Sequence, residues 1–286
     1  MLARMKRPLF LVLLMAAACK PEASPPAAAA SPAPVAAAGT GIPWKPAVHR
    51  KVKVLASVPH DSGAYTQGLV WSEGALYESA GQYGHSSLRQ VDPKTGKVLR
   101  SVQVPSQYFA EGLARVGDRL IQLTWQEGTA LIYDLSTFER RGELPYSGEG
   151  WGLCSDGRRL IQSDGSNRLS FRDPATFATT GGVDVVLDGR PVMELNELEC
   201  VDGAVYANIW QSDDIVRIDP ETGRVTDVID ASGLLTPEEA ASAEVLNGIA
   251  YKPETKTFLL TGKYWPKMFE VRLTSSPASG TAAPPP

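Results

Sequence analysis

Two carboxylates lie in a stretch of the sequence that otherwise has the pattern of β-strands. In LNELECVDGAVYANIW, residues 195–210, Glu197 and Glu199 follow Asn196, and Trp210 ends the second apolar run. Acidic residues are poor strand formers and rarely face a protein core without a partner. Carboxylates, an amide and an indole together suit a site that transfers protons and holds a small polar ligand. Such a site needs other strands that bring matching residues beside these.

A unit of strand, turn and strand recurs five times along the chain. The first strands of the units begin, 40 to 50 residues apart, at Gln67, Glu111, Trp151, Glu197 and Asn247. In most units a Glu-Gly, Gly-Asp or Asp-Gly turn separates the first two strands, and a third and a fourth strand follow. Four strands in each period of this length predict the blades of a β-propeller.

The fifth unit lacks a fourth strand, because it ends at MFEVRL. The run KVKVLASV, residues 51–58, is a strand without a unit of its own, and it can fill this place. Closure of the ring would remove the exposed edges of an open array of sheets. We therefore predict an all-β, five-bladed β-propeller closed by an N-terminal strand. One helix is predicted in LLTPEEAASAEV, with Thr236 as its cap and Pro237 in its first turn.

The predicted site lies at one mouth of the central channel. In a propeller the first strand of each blade lines that channel, so the five unit heads would gather near one mouth. The second strands contribute further polar and aromatic residues to the same place: Glu78, Trp125, Asp164, Asn208, Trp210 and Lys263. Carboxylates, amides, a lysine and tryptophans in one pocket indicate a small polar ligand held between indole faces.

Composition excludes some other classes of function. A formal net charge of -4 argues against a nucleic-acid surface, which needs a basic stripe. The chain has only 3 His residues, at 49, 60 and 85, and none forms a helical or strand pair, which argues against a His-based metal site. We expect no cofactor in catalysis, and a structural cation in the channel is left open.

The ordered set of motifs resembles the plant-type glutaminyl cyclase family. The set covers about residues 50–273 and consists of YTQGL, LYESAGQYGHSSLRQVD, YFAEGL, QLTW, GWGL, SDGSNRLSFRDP, LNELE, YANIW, VLNGIAY and TGKYWPKMFEV. The resemblance implies a five-bladed propeller with glutaminyl-peptide cyclotransferase activity, in which an N-terminal glutamine becomes pyroglutamate and ammonia leaves. Tyr65 stands where the family commonly has Phe, and Ala110 where it commonly has Gly. Neither difference removes a polar group from the predicted site.

The implied reaction needs a group that moves a proton from the attacking amine to the leaving nitrogen, and donors for the oxyanion. We expect Glu78 to be this proton shuttle. Glu197 is expected to share the proton transfer or bind the substrate amine, and Lys263 to donate to the oxyanion. The predicted substrate-binding residues are Gln67, Phe109, Glu111, Trp125, Trp151, Asp164, Asn196, Asn208, Trp210 and Asn247.

Three further residues are excluded from this site or left without a role. Glu199 is excluded because we expect it on the opposite face of the strand from Glu197. Cys154 and Cys200 hold equivalent positions in adjacent units. They either pair in an oxidising compartment or pack as free thiols, and the thiols are the favoured interpretation.

The N-terminal residues predict export. In residues 1–19, basic residues precede an apolar run, and small residues then end at Cys19. This pattern predicts a bacterial lipoprotein signal in which Cys19 is acylated, with an ordinary cleaved signal as the alternative. The expected location is periplasmic or anchored to the outer membrane of a Gram-negative bacterium.

Domain boundaries follow from shifts in composition. A Pro/Ala-rich linker at 20–45 follows the signal, the propeller with its catalytic site spans 46–274, and a disordered tail covers 275–286. We expect a monomer that contacts a membrane only through its lipid anchor. Its expected partners are peptides or proteins with an N-terminal glutamine, and not nucleic acid.

Two other functions fit the same architecture. One is a non-catalytic propeller that binds a ligand or acts as a scaffold, because propellers host both enzymes and binding modules. The other is a calcium-dependent hydrolase, with Glu78, Asp164 and Glu197 as oxygen ligands. Turnover of a Gln-initiated peptide, with and without a chelator, distinguishes these two functions from each other and from the cyclotransferase.

Overall fold

The regular structure of the protein is almost entirely β-strand. A computed structural model describes residues 45–275. The predicted signal peptide with Cys19, the linker up to residue 44 and the tail after Ser275 lie outside the described residues. No helix in the described part of the chain is both long enough and apolar enough to cross a bilayer.

Three four-stranded antiparallel sheets follow one another along the chain after its first strand, β1 (Val48–Pro59). Their strands pair in chain order. The first sheet contains β2 (Thr66–Ser72), β3 (Ala75–Ala80), β4 (Ser87–Val91) and β5 (Val98–Gln103). The second contains β6 (Ala110–Val116), β7 (Arg119–Thr124), β8 (Thr129–Asp134) and β9 (Arg140–Pro145). The third contains β10 (Leu153–Ser155), β11 (Leu160–Gln162), β12 (Arg168–Arg172) and β13 (Thr179–Asp184).

The remaining strands form a two-stranded ribbon and one sheet of eight strands. The ribbon contains β14 (Val186–Leu187) and β15 (Arg190–Pro191). The next four strands are β16 (Leu195–Val201), β17 (Ala204–Ile209), β18 (Asp214–Ile218) and β19 (Val225–Asp230). The last three are β20 (Leu246–Lys252), β21 (Thr257–Gly262) and β22 (Lys267–Ser275). The eight-stranded sheet has the order β16-β17-β18-β19-β1-β22-β21-β20.

The N-terminal strand joins the last two repeat units. β1 pairs antiparallel with β22 along most of its length, which confirms the predicted pairing with the fifth unit. β1 also pairs in parallel with β19 through the residues from Val48 to Lys51. The sequence did not predict this second pairing, and it merges the fourth and fifth units into one sheet.

The apolar core lies between neighbouring units rather than within any one of them. Each of the five buried clusters combines residues from two adjacent units of the described chain. Leu88 and Leu113, for example, join the first unit to the second, while Leu69 and Leu259 join the first to the fifth. Burial of apolar area between units therefore stabilises their arrangement.

The glycine after Glu111 allows two first strands to approach closely. A Cβ atom placed on Gly112 would lie 2.5 Å from the backbone nitrogen of Leu153 in β10, closer than any side chain tolerates. Only glycine fits such an approach. The contact brings Glu111 and Trp151 to the same edge of neighbouring sheets.

A disulfide joins Cys154 of β10 to Cys200 of β16, with an S–S distance of 2.07 Å. The preference for free thiols was therefore wrong. The equivalent positions of the two residues in adjacent units bring their Cα atoms within 5.5 Å, which is in the range that a disulfide spans.

The predicted helix is confirmed as α1 (Pro237–Ala240). The hydroxyl of Thr236 accepts a hydrogen bond from the backbone nitrogen of Glu239, and the Glu239 carboxylate accepts one from the backbone nitrogen of Thr236. This capping box satisfies two backbone groups that a helix start leaves without partners.

Candidate active site

A cavity of about 310 Å³ lies where first strands begin and second strands end. Its lining residues are Tyr65, Gln67, Gln82, Phe109, Glu111, Trp125, Trp151, Asn196, Trp210 and Lys263. The first two strands of each unit are antiparallel, so the start of one lies beside the end of the other. The volume is in the range of small-ligand sites.

Most of the predicted site residues are brought together here. Those that line the cavity are Gln67, Phe109, Glu111, Trp125, Trp151, Asn196, Trp210 and Lys263. Those that lie elsewhere are Glu78, Asp164, Glu197, Asn208 and Asn247. Two lining residues, Tyr65 and Gln82, were missed. Tyr65 lies two residues before Gln67, as Phe109, which was predicted, lies two before Glu111. The equivalence of these positions in the repeat was an available signal.

Glu111 is the buried carboxyl of the cavity. Its Oε1 accepts a 2.9 Å hydrogen bond from Nε2 of Gln67, and the residue is 5% exposed. Burial raises the pKa of Glu111 well above its ordinary value, and the nearby charges of Glu127 and Glu149 raise it further. The ammonium group of Lys263 opposes them. A carboxyl in this environment is a stronger base than an exposed carboxylate.

The amide of Gln67 is held in one orientation. Nδ2 of Asn247 donates a 3.1 Å hydrogen bond to Oε1 of Gln67 and a 2.9 Å bond to the backbone oxygen of Thr66. Because the oxygen of Gln67 faces Asn247, its nitrogen faces Glu111. Asn247 therefore positions a lining residue without lining the cavity itself.

Lys263 is the amine of the cavity. Its Nζ lies 4.6 Å from the centre of the Tyr65 ring, and the residue is 4% exposed. Burial lowers the pKa of Lys263, and the carboxylates of Glu111 and Glu244 oppose this only in part. The amine is thus a donor in a poorly solvated place, where its interaction with an anion is strengthened.

Asn196 lines the cavity, and one acceptor of its side chain is unpaired within the described part of the chain. Its Oδ1 is buried and has no hydrogen-bond partner among residues 45–275. Buried polar atoms are rarely left without partners, so this acceptor is an exception to the usual pairing.

Aromatic rings form the walls in two arcs. In the first arc Phe109 contacts Tyr65 and Trp125 edge to face, with ring centres 6.0 and 5.8 Å apart. In the second, Trp151 and Trp210 contact each other edge to face at 5.9 Å. Such walls exclude water and offer flat surfaces for stacking.

Glu78 does not line the cavity, contrary to the expectation for a proton shuttle. Its Oε1 accepts hydrogen bonds from Nε2 of His60 at 2.9 Å and from the hydroxyl of Thr66 at 2.7 Å. Burial raises the pKa of Glu78, but His60 and Arg89 lower it more, and the net direction is down. The carboxylate is held as the anion of a buried ion pair.

Glu197 and Glu199 also lie outside the cavity lining. Glu197 accepts hydrogen bonds from the backbone nitrogens of Leu69 and Ile249, and Glu199 accepts one from Tyr251. Both carboxyls reach β20, so the expectation of opposite faces was wrong, since residues two apart on a strand share a face. Burial raises the pKa of Glu197 well above its ordinary value, as does the adjacent charge of Glu199, and burial raises the pKa of Glu199 to about 8.

Two more predicted binding residues have structural contacts instead. Asp164 is exposed and accepts a 3.1 Å hydrogen bond from the backbone nitrogen of Ser166, which stabilises the turn between β11 and β12. Asn208 is buried, and its Oδ1 accepts a 3.0 Å bond from the backbone nitrogen of Gly248. Neither residue lines the cavity.

The carboxylates of the calcium alternative do not form a ligand set. Among residues 45–275 no three His, Cys, Asp or Glu side chains are grouped so that they could hold a metal ion. Oε1 of Glu78 and both carboxylate oxygens of Glu197 instead accept the protein hydrogen bonds described above.

An all-β body with a buried protonatable carboxyl, an amine and an indole-walled cavity defines an enzyme site for acid–base chemistry on a small polar group. A family model described as "Glutamine cyclotransferase" matches residues 25–273, and the chain belongs to that family. A glutaminyl-peptide cyclotransferase of Arabidopsis thaliana is 40% identical over 233 residues, which are 80% of this chain and 73% of that protein. The crystal structure of Myxococcus xanthus glutaminyl cyclase aligns with a TM-score of 0.73 and 44% identity, over 81% of this chain and 100% of that chain.

Proposed function

We propose that this protein is a glutaminyl-peptide cyclotransferase, which converts the N-terminal glutamine of a peptide or protein to pyroglutamate and releases ammonia. The observation that carries this proposal is the buried carboxyl of Glu111 in a cavity that also holds Lys263. Cyclisation needs one group that first accepts and then returns a proton near neutral pH. Family membership supports the same reaction.

In the proposed mechanism the neutral α-amine of the substrate attacks the γ-carbonyl carbon of its own side chain. Glu111, as the carboxylate, takes a proton from the attacking nitrogen. It then gives this proton to the side-chain amide nitrogen, so that the carbon–nitrogen bond breaks and ammonia leaves. The carboxylate is regenerated and the protons balance. Because its pKa is raised, Glu111 is a stronger base than an exposed carboxylate.

Lys263 and Asn196 are assigned to the substrate's polar groups. The tetrahedral intermediate carries an oxyanion, and the Lys263 amine is the charged donor that the cavity offers to it. The side-chain amide of Asn196, which lines the cavity, is assigned to a hydrogen bond with the substrate amine or amide. Of the three residues expected to be catalytic, only Lys263 keeps that role here. Glu111 takes the place of Glu78 as the proton shuttle. Glu197 is assigned a structural role, because its carboxylate accepts hydrogen bonds from the backbone of two neighbouring strands.

We propose a five-bladed propeller as the architecture. The repeat units are the blades, with β1 as the strand that closes the fifth. Two observations support it: β1 pairs with β22, and each buried cluster joins neighbouring units, including the first with the fifth. The site would then lie at one mouth of the channel.

Export and lipid anchoring of the chain are also proposed, on the sequence of residues 1–19 and Cys19. The disulfide between Cys154 and Cys200 supports an oxidising compartment such as the periplasm. We propose a monomer attached by a lipid to the outer membrane of a Gram-negative bacterium. The proposed catalysis uses no cofactor. A structural cation in the channel is compatible with this proposal.

Ammonia release from a Gln-initiated dipeptide tests the function. We expect turnover by the purified protein that a chelator does not change. Absence of turnover would favour a binding scaffold, and chelator-sensitive turnover would favour a metal-dependent enzyme. A matched peptide that begins with asparagine is the control, because it lacks one methylene for closing the five-membered ring.

A further inference from the structure

Glu149 links the two aromatic arcs of the cavity without lining it. It lies in the loop between β9 and β10, and its Oε2 accepts hydrogen bonds from the indole nitrogens of Trp125, at 2.8 Å, and Trp151, at 2.9 Å. Its Oε1 accepts a 2.9 Å bond from Nε2 of Gln126. No described ring contact joins Trp125 to Trp151 directly. One carboxylate oxygen therefore holds both indoles.

Hydrogen bonds of the backbone hold the loop that carries Glu149 in place, and these bonds do not involve the indole rings. The backbone oxygen of Glu149 accepts a 3.0 Å hydrogen bond from Nε2 of Gln162, and the backbone nitrogen of Gly150 donates a 2.8 Å bond to the backbone oxygen of Trp125. Burial raises the pKa of Glu149, but hydrogen bonds from Trp151, Gln126 and Trp125 lower it more, and the net direction is down. The group is thus an anion, whose hydrogen bonds are shorter and stronger than neutral ones.

We propose that Glu149 is a positioning residue, which orients the indoles of Trp125 and Trp151 so that both form walls of the substrate cavity. It contacts the two tryptophans and not the reacting atoms. Its charge also raises the pKa of Glu111, so KM and the indole signals, rather than kcat, report on the positioning role. Only the kinetic readout of this inference rests on the proposed cyclisation.

Kinetics of two Glu149 variants provide the first test. Glu149→Ala removes the shared acceptor, and we expect KM to rise about tenfold or more with a smaller loss of kcat, because bonds to a charged group are lost. Glu149→Gln keeps an amide oxygen that can accept from both indoles, and we expect KM within about threefold of wild type. Glu143→Gln is the control, since this exposed carboxylate on β9 contacts only Arg140 among its described ion pairs.

Indole N–H resonances provide a readout that does not depend on activity. In protein labelled with ¹⁵N-tryptophan, Trp125→Phe and Trp151→Phe assign the two signals among the 6 tryptophans. We expect both signals to move in Glu149→Ala and to stay close to their wild-type positions in Glu149→Gln. If wild type shows no turnover, the proposed function fails. The indole resonances still test whether Glu149 holds the indoles of Trp125 and Trp151.

Three results would overturn the inference. The first is a Glu149→Ala variant with wild-type KM, and the second is unchanged indole signals in that variant. The third is a Glu149→Gln variant as impaired as Glu149→Ala, which would mean that the charge of Glu149 acts rather than its hydrogen bonds.

If Glu149→Ala does not fold, Trp151→Phe replaces it, because it removes one indole donor and keeps a ring. It is then expected to raise KM and move the Trp125 signal, and failure of both would overturn the inference.

Discussion

Nε2 of Gln67 donates a 2.9 Å hydrogen bond to Oε1 of Glu111, and this contact joins the first strands of two neighbouring sheets at the cavity. The bond favours the ionised carboxylate, while burial favours the protonated acid. Burial prevails, and the pKa of Glu111 is raised. The ammonium group of Lys263 opposes this rise, so the carboxyl lies between a burial effect that favours the acid and a charge that favours the carboxylate.

Glu111→Gln is expected to lower kcat by roughly 10²- to 10⁴-fold, the usual contribution of a positioned acid–base group. The amide keeps the size of the side chain and can still accept from Gln67, so KM and the melting temperature should change little. Steady-state kinetics and a thermal melt measure both. With Glu143→Gln as a control of wild-type activity, retention of more than about a tenth of kcat would place the proton transfer elsewhere.

Lys263→Met is expected to shift the acid side of the pH profile upwards. The positive charge of Lys263 lowers the pKa of Glu111, so its removal destabilises the carboxylate and raises that pKa further. The rise of kcat/KM with pH, measured from about pH 5 to 9 with one substrate, should therefore move to higher pH. Lys263→Arg keeps the charge and is the control. An unmoved profile in Lys263→Met would show that the two groups are not coupled.

The ion pair of His60 and Glu78 is expected to make stability depend on pH. Nδ1 of His60 lies 2.7 Å from the backbone oxygen of Trp265, and Nε2 lies 2.9 Å from Glu78. Both partners are acceptors, so both ring nitrogens carry protons. Burial lowers the pKa of His60, but Glu78 raises it more, and the net direction is up.

The sign of the dependence follows from these directions. The contribution of His60 is complete below its unfolded pKa of 6.5 and is lost as pH rises through the higher folded value. The contribution of Glu78 is complete above its unfolded pKa of 4.5 and is lost as pH falls through the lower folded value. The pair therefore stabilises the protein most between 4.5 and 6.5.

Glu78→Gln tests that window by urea unfolding at several pH values. We expect a loss of roughly 3 kcal/mol or more inside the window, as is typical when one partner of a buried ion pair is removed. The difference from wild type should shrink above the window, where wild type loses the proton of His60. A difference that is constant with pH would contradict the assignment of His60 as a cation.

Removal of β1 is expected to destabilise the protein, whereas removal of the residues before Lys45 is not. A chain that begins at Lys45 keeps the pairing of β1 with β22 and β19 and should keep full activity. A chain that begins at His60 leaves the edges of both strands exposed and should aggregate. Light scattering and thermal melts compare the two, and equal melting temperatures would refute a closing role for β1.

Local patterns in the sequence were enough to place most of the cavity. Turn residues and alternating apolar positions define the hairpins, and hairpin geometry puts the start of a first strand beside the end of a second. Trp125 and Lys263 were predicted in this way from strand ends, and Gln67 and Glu111 from strand starts. The equivalence of Tyr65 with Phe109 in the repeat would also have placed Tyr65 in the cavity, and the strand period of two would have placed Glu199 beside Glu197.

The sequence by itself determined the all-β units, their hairpins and the edge at which polar and aromatic residues gather, because strand period and turn type depend on neighbours along the chain. Only the tertiary structure decided which carboxyl lies in the cavity with a raised pKa. Glu78 and Glu111 are both buried, but His60 and Arg89 keep Glu78 ionised, while Glu111 faces a cavity with its pKa raised. A pKa depends on desolvation and on charges brought from distant parts of the chain, and residue spacing encodes neither.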